Sequence, residues 1–341
     1  MRRDIAASDD SSTWATLSAL RFFLAIVVVL GHCCSFVGGR HDWTYIGLWL
    51  NQGSAVFGFF ILSGYSIAAS LERSSAGFYR RRFIRIWPLY LACILFGIVV
   101  ALRVPDGFTW PIGQYLPPTS LVSFAASLLM LQTIVAGPVP IIGQIWSLSP
   151  EWWHYMAAPG LRKLSSFSLL TFLTISFLAF LVITPPPGGG PEGFHHGLAM
   201  LTLSWLWVTG FVYRRFGGNP AGAVILTFPS VFALFFGHFT GAPLFISVFT
   251  LLLSTEVRIG PRGQKICNLL GDISYPLYLF HVPVMVLLLT FGVKTTLPLI
   301  IASLLISAAV LYGIDYPSRR LFSVRSRMQE PLSSVREAVV V

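Results

Sequence analysis

Arg21 and His32 share one run, LRFFLAIVVVLGH, whose other residues are all apolar. A guanidinium stays protonated, so inside such a run it must face protein, water or an anion. An imidazole exchanges a proton near neutral pH and serves as a base or a nucleophile. On a helix, the offset between the two returns both side chains to within roughly 20° of one face. The same offset separates them by about 16 Å along the axis, about half the hydrocarbon thickness. The pair describes an internal path that holds an anionic group at one level and reacts at another.

Further polar islands interrupt the apolar background. GSAVFGFFILSGYSI (53–67) carries Gly53, Ser54, Gly58, Ser63 and Gly64, small residues that let helices approach closely. FYRRRFIRIWPLY (78–90) supplies Arg80, Arg81, Arg82 and Arg85. Their forked donors match phosphate oxygens, and the same residues suit a positive-inside anchor. In IWSLSPEWWHYMAAP (145–159), Glu151 and His154 lie three apart and are expected on one helix face. A carboxylate among so many aromatic residues needs a partner. SYPLYLFHVPV (274–284) holds His281, a second candidate base, and GIDYPSRR places Asp315 at the end of the last apolar segment beside Arg319 and Arg320.

The elements that must position these groups follow from composition. Of the 341 residues, 55% are hydrophobic and 11% charged, against about 25% charged in soluble domains. The chain therefore reads as an all-α integral membrane protein. Eleven apolar segments lie near 18–37, 47–70, 84–102, 119–136, 145–160, 166–183, 197–213, 221–237, 242–255, 272–292 and 296–316. The first is too long for a cleaved signal and lacks a small-x-small cleavage site, so it reads as a span. Basic residues cluster at the junctions: Arg2 and Arg3, Arg80 to Arg85, Arg162 and Lys163, Arg214 and Arg215, Arg258 to Lys265, and Arg319 to Arg327. These fall on one side only if 103–161 crosses the membrane an odd number of times. The expectation is a bundle of about ten spans with both termini cytoplasmic, one of 119–136 and 145–160 being re-entrant. PPPGGGPEGFHH (185–196) becomes an external loop. The net charge of +10 is thereby a topology signal, and no nucleic-acid module is expected. Cys33, Cys34, Cys93 and Cys267 lack metal-ligand spacing and read as packing residues.

The order LRFFLAIVVVLGH, GSAVFGFFILSGYSI, RRRFIRIWPLY, WSLSPEWWHY, SYPLYLFH and DYPSRR resembles the membrane-bound acyltransferase family 3. Members O-acylate bacterial surface glycans and, in some cases, antibiotics or lipids. The likeness runs over about residues 17–320, between a cytoplasmic segment 1–16 and a cytoplasmic tail 321–341. Each motif is weak alone; the ordered set is specific. Arg21 and His32 match the family's signature pair, Ser63-Gly64-Tyr65 its turn after the second helix, and Arg81, Arg82, Arg85, Ile86 and Pro88 its basic stretch. Trp146 to Glu151 matches its WSLxxE motif. Asp315 stands where the family usually has Glu, and the stand-alone type without an appended extracytoplasmic domain is expected.

The resemblance implies acyl-CoA, acetyl or succinyl, as a cytoplasmic co-substrate, with no permanently bound cofactor and no metal. It implies a hydroxyl acceptor such as exopolysaccharide or O-antigen, in the bacterial inner membrane beside polysaccharide biosynthesis machinery. Arg80, Arg81, Arg82 and Arg85 would hold the CoA phosphates, with Arg21 guiding a phosphate or the pantetheine arm inward. His32 would be general base or transient acyl carrier. Glu151 would orient His32 or bind acceptor hydroxyls. His281, His154, Ser63 and Asp315 are further candidates. A transporter for a glycan or lipid-linked intermediate, with Arg21, His32 and Glu151 lining its path, is the rival reading; it should show an inverted repeat, and none is visible.

Overall fold

A computed structural model describes residues 11–183, 197–217, 219–236 and 241–321. The segment 185–196, expected as an external loop, the arginines at 2, 3, 325 and 327, and nearly all of the tail 321–341 lie outside the described residues. Helices dominate: α1 (Ser11–Cys33), α2 (Tyr45–Trp49), α3 (Gln52–Arg73), α4 (Phe78–Ala101), α5 (Leu121–Leu128), α6 (Leu148–Leu161), α7 (Ser166–Ile183), α8 (Leu198–Phe216), α9 (Pro220–Phe236), α10 (Ala242–Leu253), α11 (Pro261–Thr290) and α12 (Thr296–Val310). A two-stranded antiparallel hairpin, β1 (Phe108–Thr109) and β2 (Tyr115–Leu116), sits in the loop after α4. The architecture is the expected all-α membrane bundle.

Six helices, α1, α3, α4, α7, α11 and α12, are long and apolar enough by length and composition to cross a membrane. Helices α6, α8, α9 and α10 are the further apolar elements. The segment 119–136 does not become one long helix. Its helical part, α5, has 8 residues, about 12 Å of rise and far short of the hydrocarbon core. The chain turns away right after Leu128: Met130 (φ 56°) and Thr133 (φ 72°) take left-handed backbone, so no helix continues through 136. The second candidate, 145–160, forms α6, extended at its start by a 3-10 stretch Pro140–Ser147.

Helix α11 also departs from the apolar pattern. It starts at Pro261 and runs 30 residues, about 45 Å. Arg262, Lys265 and Asp272, expected at or near a junction, are therefore inside the helix, on a stretch longer than the hydrocarbon core needs.

Packing sets the relative levels of the polar groups. Helix α1 lies chiefly against α11, and α3 against α8. The α3–α8 contact is backbone on backbone. A Cβ built on Gly64 would stand 1.9 Å from the Trp207 carbonyl oxygen, and one on Gly210 would stand 2.0 Å from that of Ile61. Only glycine permits that approach, which gives van der Waals contact where lipid supplies no hydrophobic drive. At the far end of α1 a π-helical turn, Cys34–Gly38, follows His32 directly. A second one, Leu311–Asp315, ends α12 and contains Asp315. Asp315 is buried and pairs with Arg319 (Nε to Oδ1 2.9 Å), which also bonds Asp272 of α11 at 3.1 Å. These two carboxylates around one guanidinium tie α12 to α11, a structural role.

Candidate active site

A cavity of about 970 Å³, counting the space at its mouth, opens among α1, α3, α4, α6 and α11. Arg21, Arg82 and Arg85 line it, with Glu151 opposite. Hydroxyls of Ser63, Ser66, Ser147, Tyr155, Ser274, Tyr275 and Tyr278 add to its polar surface. Arg21 donates from Nη2 to Ser66 Oγ at 2.5 Å, and Ser66 passes its own proton to the Leu62 carbonyl at 2.7 Å. Arg82 donates to Ser70 Oγ at 2.9 Å, while its buried Nε has no partner. Among the described residues no carboxylate lies within ion-pairing distance of Arg21, Arg82 or Arg85. Three guanidiniums against one carboxylate leave a cavity suited to a polyanion.

Glu151 ends a directional chain of hydrogen bonds. Tyr155 Oη donates to Glu151 Oε1. Ser63 Oγ lies 3.0 Å from Tyr155 Oη, and Trp207 Nε1 donates to Ser63 Oγ at 3.2 Å. Tyr155 spends its one hydrogen on Glu151, so Ser63 must donate to Tyr155, and the indole N–H can only donate to Ser63; every hydroxyl along the chain points its proton toward the carboxylate. Glu151 is thus held as an acceptor in the wall of the cavity. The close α3–α8 packing at Gly64 and Gly210 brings Trp207 within reach of Ser63.

The imidazoles sit at a different level. His32 Nδ1 is 3.0 Å from His281 Nε2, and His281 Nδ1 is 3.0 Å from the Leu277 carbonyl. His281 is fully buried, whereas His32 keeps part of its surface open. His32 stacks on Phe36, and Phe36 stacks on Trp110 from the hairpin loop with ring centroids 3.7 Å apart. Between the imidazoles and the cavity stands Tyr278. Its ring lies 6.2 Å from that of His281 and 5.8 Å from that of Phe59, and both Tyr278 and Phe59 line the cavity. The Tyr278 hydroxyl meets Ser147 Oγ at 2.7 Å and the Gln144 carbonyl at 2.8 Å.

The expected residues therefore divide into groups. Arg21, Arg82, Arg85, Glu151 and Ser63 line one cavity, and His32 pairs with His281 beyond it. The arrangement has His281, not Glu151, contacting His32. Glu151 stands in the first turn of α6, at the level of Arg21, and its described partner is Tyr155. His154 does not share the Glu151 face. It is buried against α8, bonded to Ser204 Oγ at 2.7 Å and stacked on Trp207. Arg81 does not line the cavity: its guanidinium bonds the carbonyls of Ser74 and Ala76 and so closes the end of α3. Arg80 is exposed and does not line the cavity. Sequence reading missed Tyr155, Tyr278, Trp207 and Ser66. The spacing of Tyr155 four residues after Glu151 was a usable signal; the others depend on contacts between distant helices.

A family model described as an acyltransferase domain matches residues 14–315. The acyltransferase MdmB of Streptomyces mycarofaciens is 31% identical over 157 residues, covering 42% of this chain and 38% of that relative. The likeness to MdmB thus spans under half the relative's length. No solved structure matches.

Proposed function

The chain belongs to the acyltransferase 3 family, and on that premise we propose that it moves an acyl group from cytoplasmic acyl-CoA to a hydroxyl of an extracytoplasmic or lipid-linked glycan. The observation that carries this reading is the cationic cavity stacked on an imidazole along one helix. Arg82 and Arg85 would receive the CoA phosphates, since their guanidiniums have no carboxylate partner. Arg21, deeper on α1, would meet a phosphate or the polar pantetheine arm. The arm would extend past Tyr278 and Phe59 to bring the thioester to His32, about 16 Å beyond Arg21.

At that level His32 acts as general base. It takes the proton of the acceptor hydroxyl as the oxygen attacks the thioester carbon. The carbon–sulfur bond breaks, and the same proton passes to the departing thiolate, giving ester and free CoA. Only neutral imidazole is needed at the start, and no net proton is gained or lost. In this arrangement donor and acceptor enter from opposite faces of a bacterial inner membrane, with the α1 N-terminal end on the cytoplasmic side.

The test is acyl transfer from radiolabelled acetyl-CoA in membranes containing the full chain, with a host glycan extract as acceptor and succinyl-CoA as a second donor. Label is expected in the glycan with the wild type and not with His32→Ala, with Arg21→Ala impaired. Transfer by both variants at the wild-type rate removes the assigned roles. Silence with both donors, from folded protein and a competent acceptor, removes the donor assignment.

A further inference from the structure

His281 is the strongest titratable group that the mechanism above leaves unused. It occupies a place where α11 cannot complete its own hydrogen bonding. Pro283 has no N–H to give the Leu279 carbonyl four residues before it. Gln144 Nε2 supplies that carbonyl instead, at 2.6 Å, and Cys93 Sγ reaches it at 3.1 Å. The Leu279 carbonyl, two residues before His281, is thereby anchored to the 3-10 stretch and to α4, while the His281 side chain turns back on the Leu277 carbonyl.

The protons can be assigned from these partners. A carbonyl only accepts, so His281 Nδ1 must carry hydrogen. Neutral His281 then has a bare Nε2, which can only accept from His32 Nδ1. The opposite sense needs His281 as a buried imidazolium. Among the described residues no carboxylate lies within ion-pairing distance of either ring, and an unpaired buried charge is strongly disfavoured.

We propose that His281 is a positioning residue that fixes the tautomer of His32, leaving His32 Nε2 as the unprotonated, reactive nitrogen. The proposal rests on the acyl-transfer reading for its catalytic consequence, but not for the tautomer itself. His32 Nε2 takes the acceptor proton while its Nδ1–H stays bonded to His281 Nε2, so the imidazolium formed in transfer keeps its partner. When Nε2 hands the proton to the thiolate, the pair returns to its starting state. His281 neither gains nor loses a proton. Without it, the Val28 carbonyl is the partner left to His32, and the share of His32 with its hydrogen on Nε2, a form unable to act as base there, rises.

The experiment combines nitrogen-15 histidine spectra of the full chain in lipid nanodiscs with steady-state kinetics. The His32 signals are assigned by their loss in His32→Gln. Wild-type His32 should show a protonated Nδ1 and a bare Nε2. His281→Leu should show mixed tautomers, with kcat down by about 10²-fold or more and the KM for acyl-CoA unchanged. His281→Gln, whose amide oxygen can accept from His32, should recover most of kcat. The opposite tautomer in the wild type overturns the proposal. So does a His281→Leu kcat within about twofold of the wild type, a threshold set well below the usual base contribution. A folded His281→Gln as inactive as His281→Leu overturns it as well. If the substituted chains fail to fold, the wild-type spectrum still decides. The expected tautomer in a wild type that transfers from neither donor supports the pairing and removes the function proposed above.

Discussion

Replacing Arg82 by Met removes a guanidinium from the cavity while keeping a long apolar stem against Phe78, whose ring centroid lies 5.7 Å from the Arg82 guanidinium carbon. Its Nη2 is held by Ser70 and its Nε has no partner. The side chain is therefore anchored with a buried donor, Nε, still to be filled. A hydrogen bond to a charged group contributes about 1.5–3 kcal/mol, and about 1.4 kcal/mol is tenfold in affinity. Loss of one phosphate contact should raise the KM for acyl-CoA by about 10- to 150-fold. The reacting level is about 16 Å farther along α1, so kcat should change little, the pattern of an interaction made equally in ground and transition states. The decisive assay compares acetyl-CoA with acetyl-pantetheine, which carries the thioester but no phosphate. With the truncated donor, Arg82→Met and wild type should behave alike, and the difference with acetyl-CoA should shrink at high salt. An equal loss with both donors, or a fall in kcat at constant KM, would refute the assignment of Arg82 to the phosphates.

Three further outcomes follow from the packing. Glu151→Leu strips Tyr155 of its acceptor and should lower stability by about 1–3 kcal/mol, whereas Glu151→Gln keeps an oxygen there and should lower it less; equal denaturant midpoints would contradict the donor chain. Gly64→Ala places a methyl 1.9 Å from the Trp207 carbonyl. Since carbon–oxygen contacts run near 3.3 Å, α3 and α8 must part by about 1.4 Å, at about 1–3 kcal/mol, seen as an earlier unfolding transition in detergent. Asp42 lies in the loop before α2. Partial burial raises its carboxyl pKa, but bonds from Thr44 and Thr296 outweigh this and hold it below the usual carboxylate range. Its contribution is therefore present above about pH 3.9 and lost as pH falls through the depressed value. Acid unfolding of Asp42→Asn should lack that component, and an unchanged acid profile would contradict it.

The sequence was most informative where function and helical geometry coincide. Arg21 and His32 announce themselves because an ionisable group in hydrocarbon needs a reason, and the helix rise then gives their separation. Glu151 was visible for the same reason. What it touches was not, because which way α6 faces depends on how a 3-10 stretch enters it. His154 shows the limit of the three-residue rule: neighbouring faces of α6 meet different partners, the cavity and α8. His281 was undervalued for a related cause. Its meaning lies in a contact with a residue 249 positions away, and no local pattern carries that. The 119–136 segment failed as one long element because hydropathy counts residues, while left-handed backbone at Met130 and Thr133 breaks the run just after Leu128.

The glycine contact between α3 and α8 also limits how this protein can work. Two helices locked carbonyl against Cα have no side-chain layer to compress or slide, so they form a stator. Both halves of that stator, Ser63 on α3 and Trp207 on α8, carry the donors that end on Glu151. In the proposed reaction, admitting a bulky nucleotide from one face and a hydroxyl acceptor from the other would require moving parts. These are expected from the opposite wall, where α4, α6 and α11 each contain proline and α11 meets the 3-10 stretch before α6 through side chains such as Tyr278 and Gln144. Restraining that wall, with a cross-link between α4 and α11, should stall turnover, whereas a cross-link between α3 and α8 should leave it running.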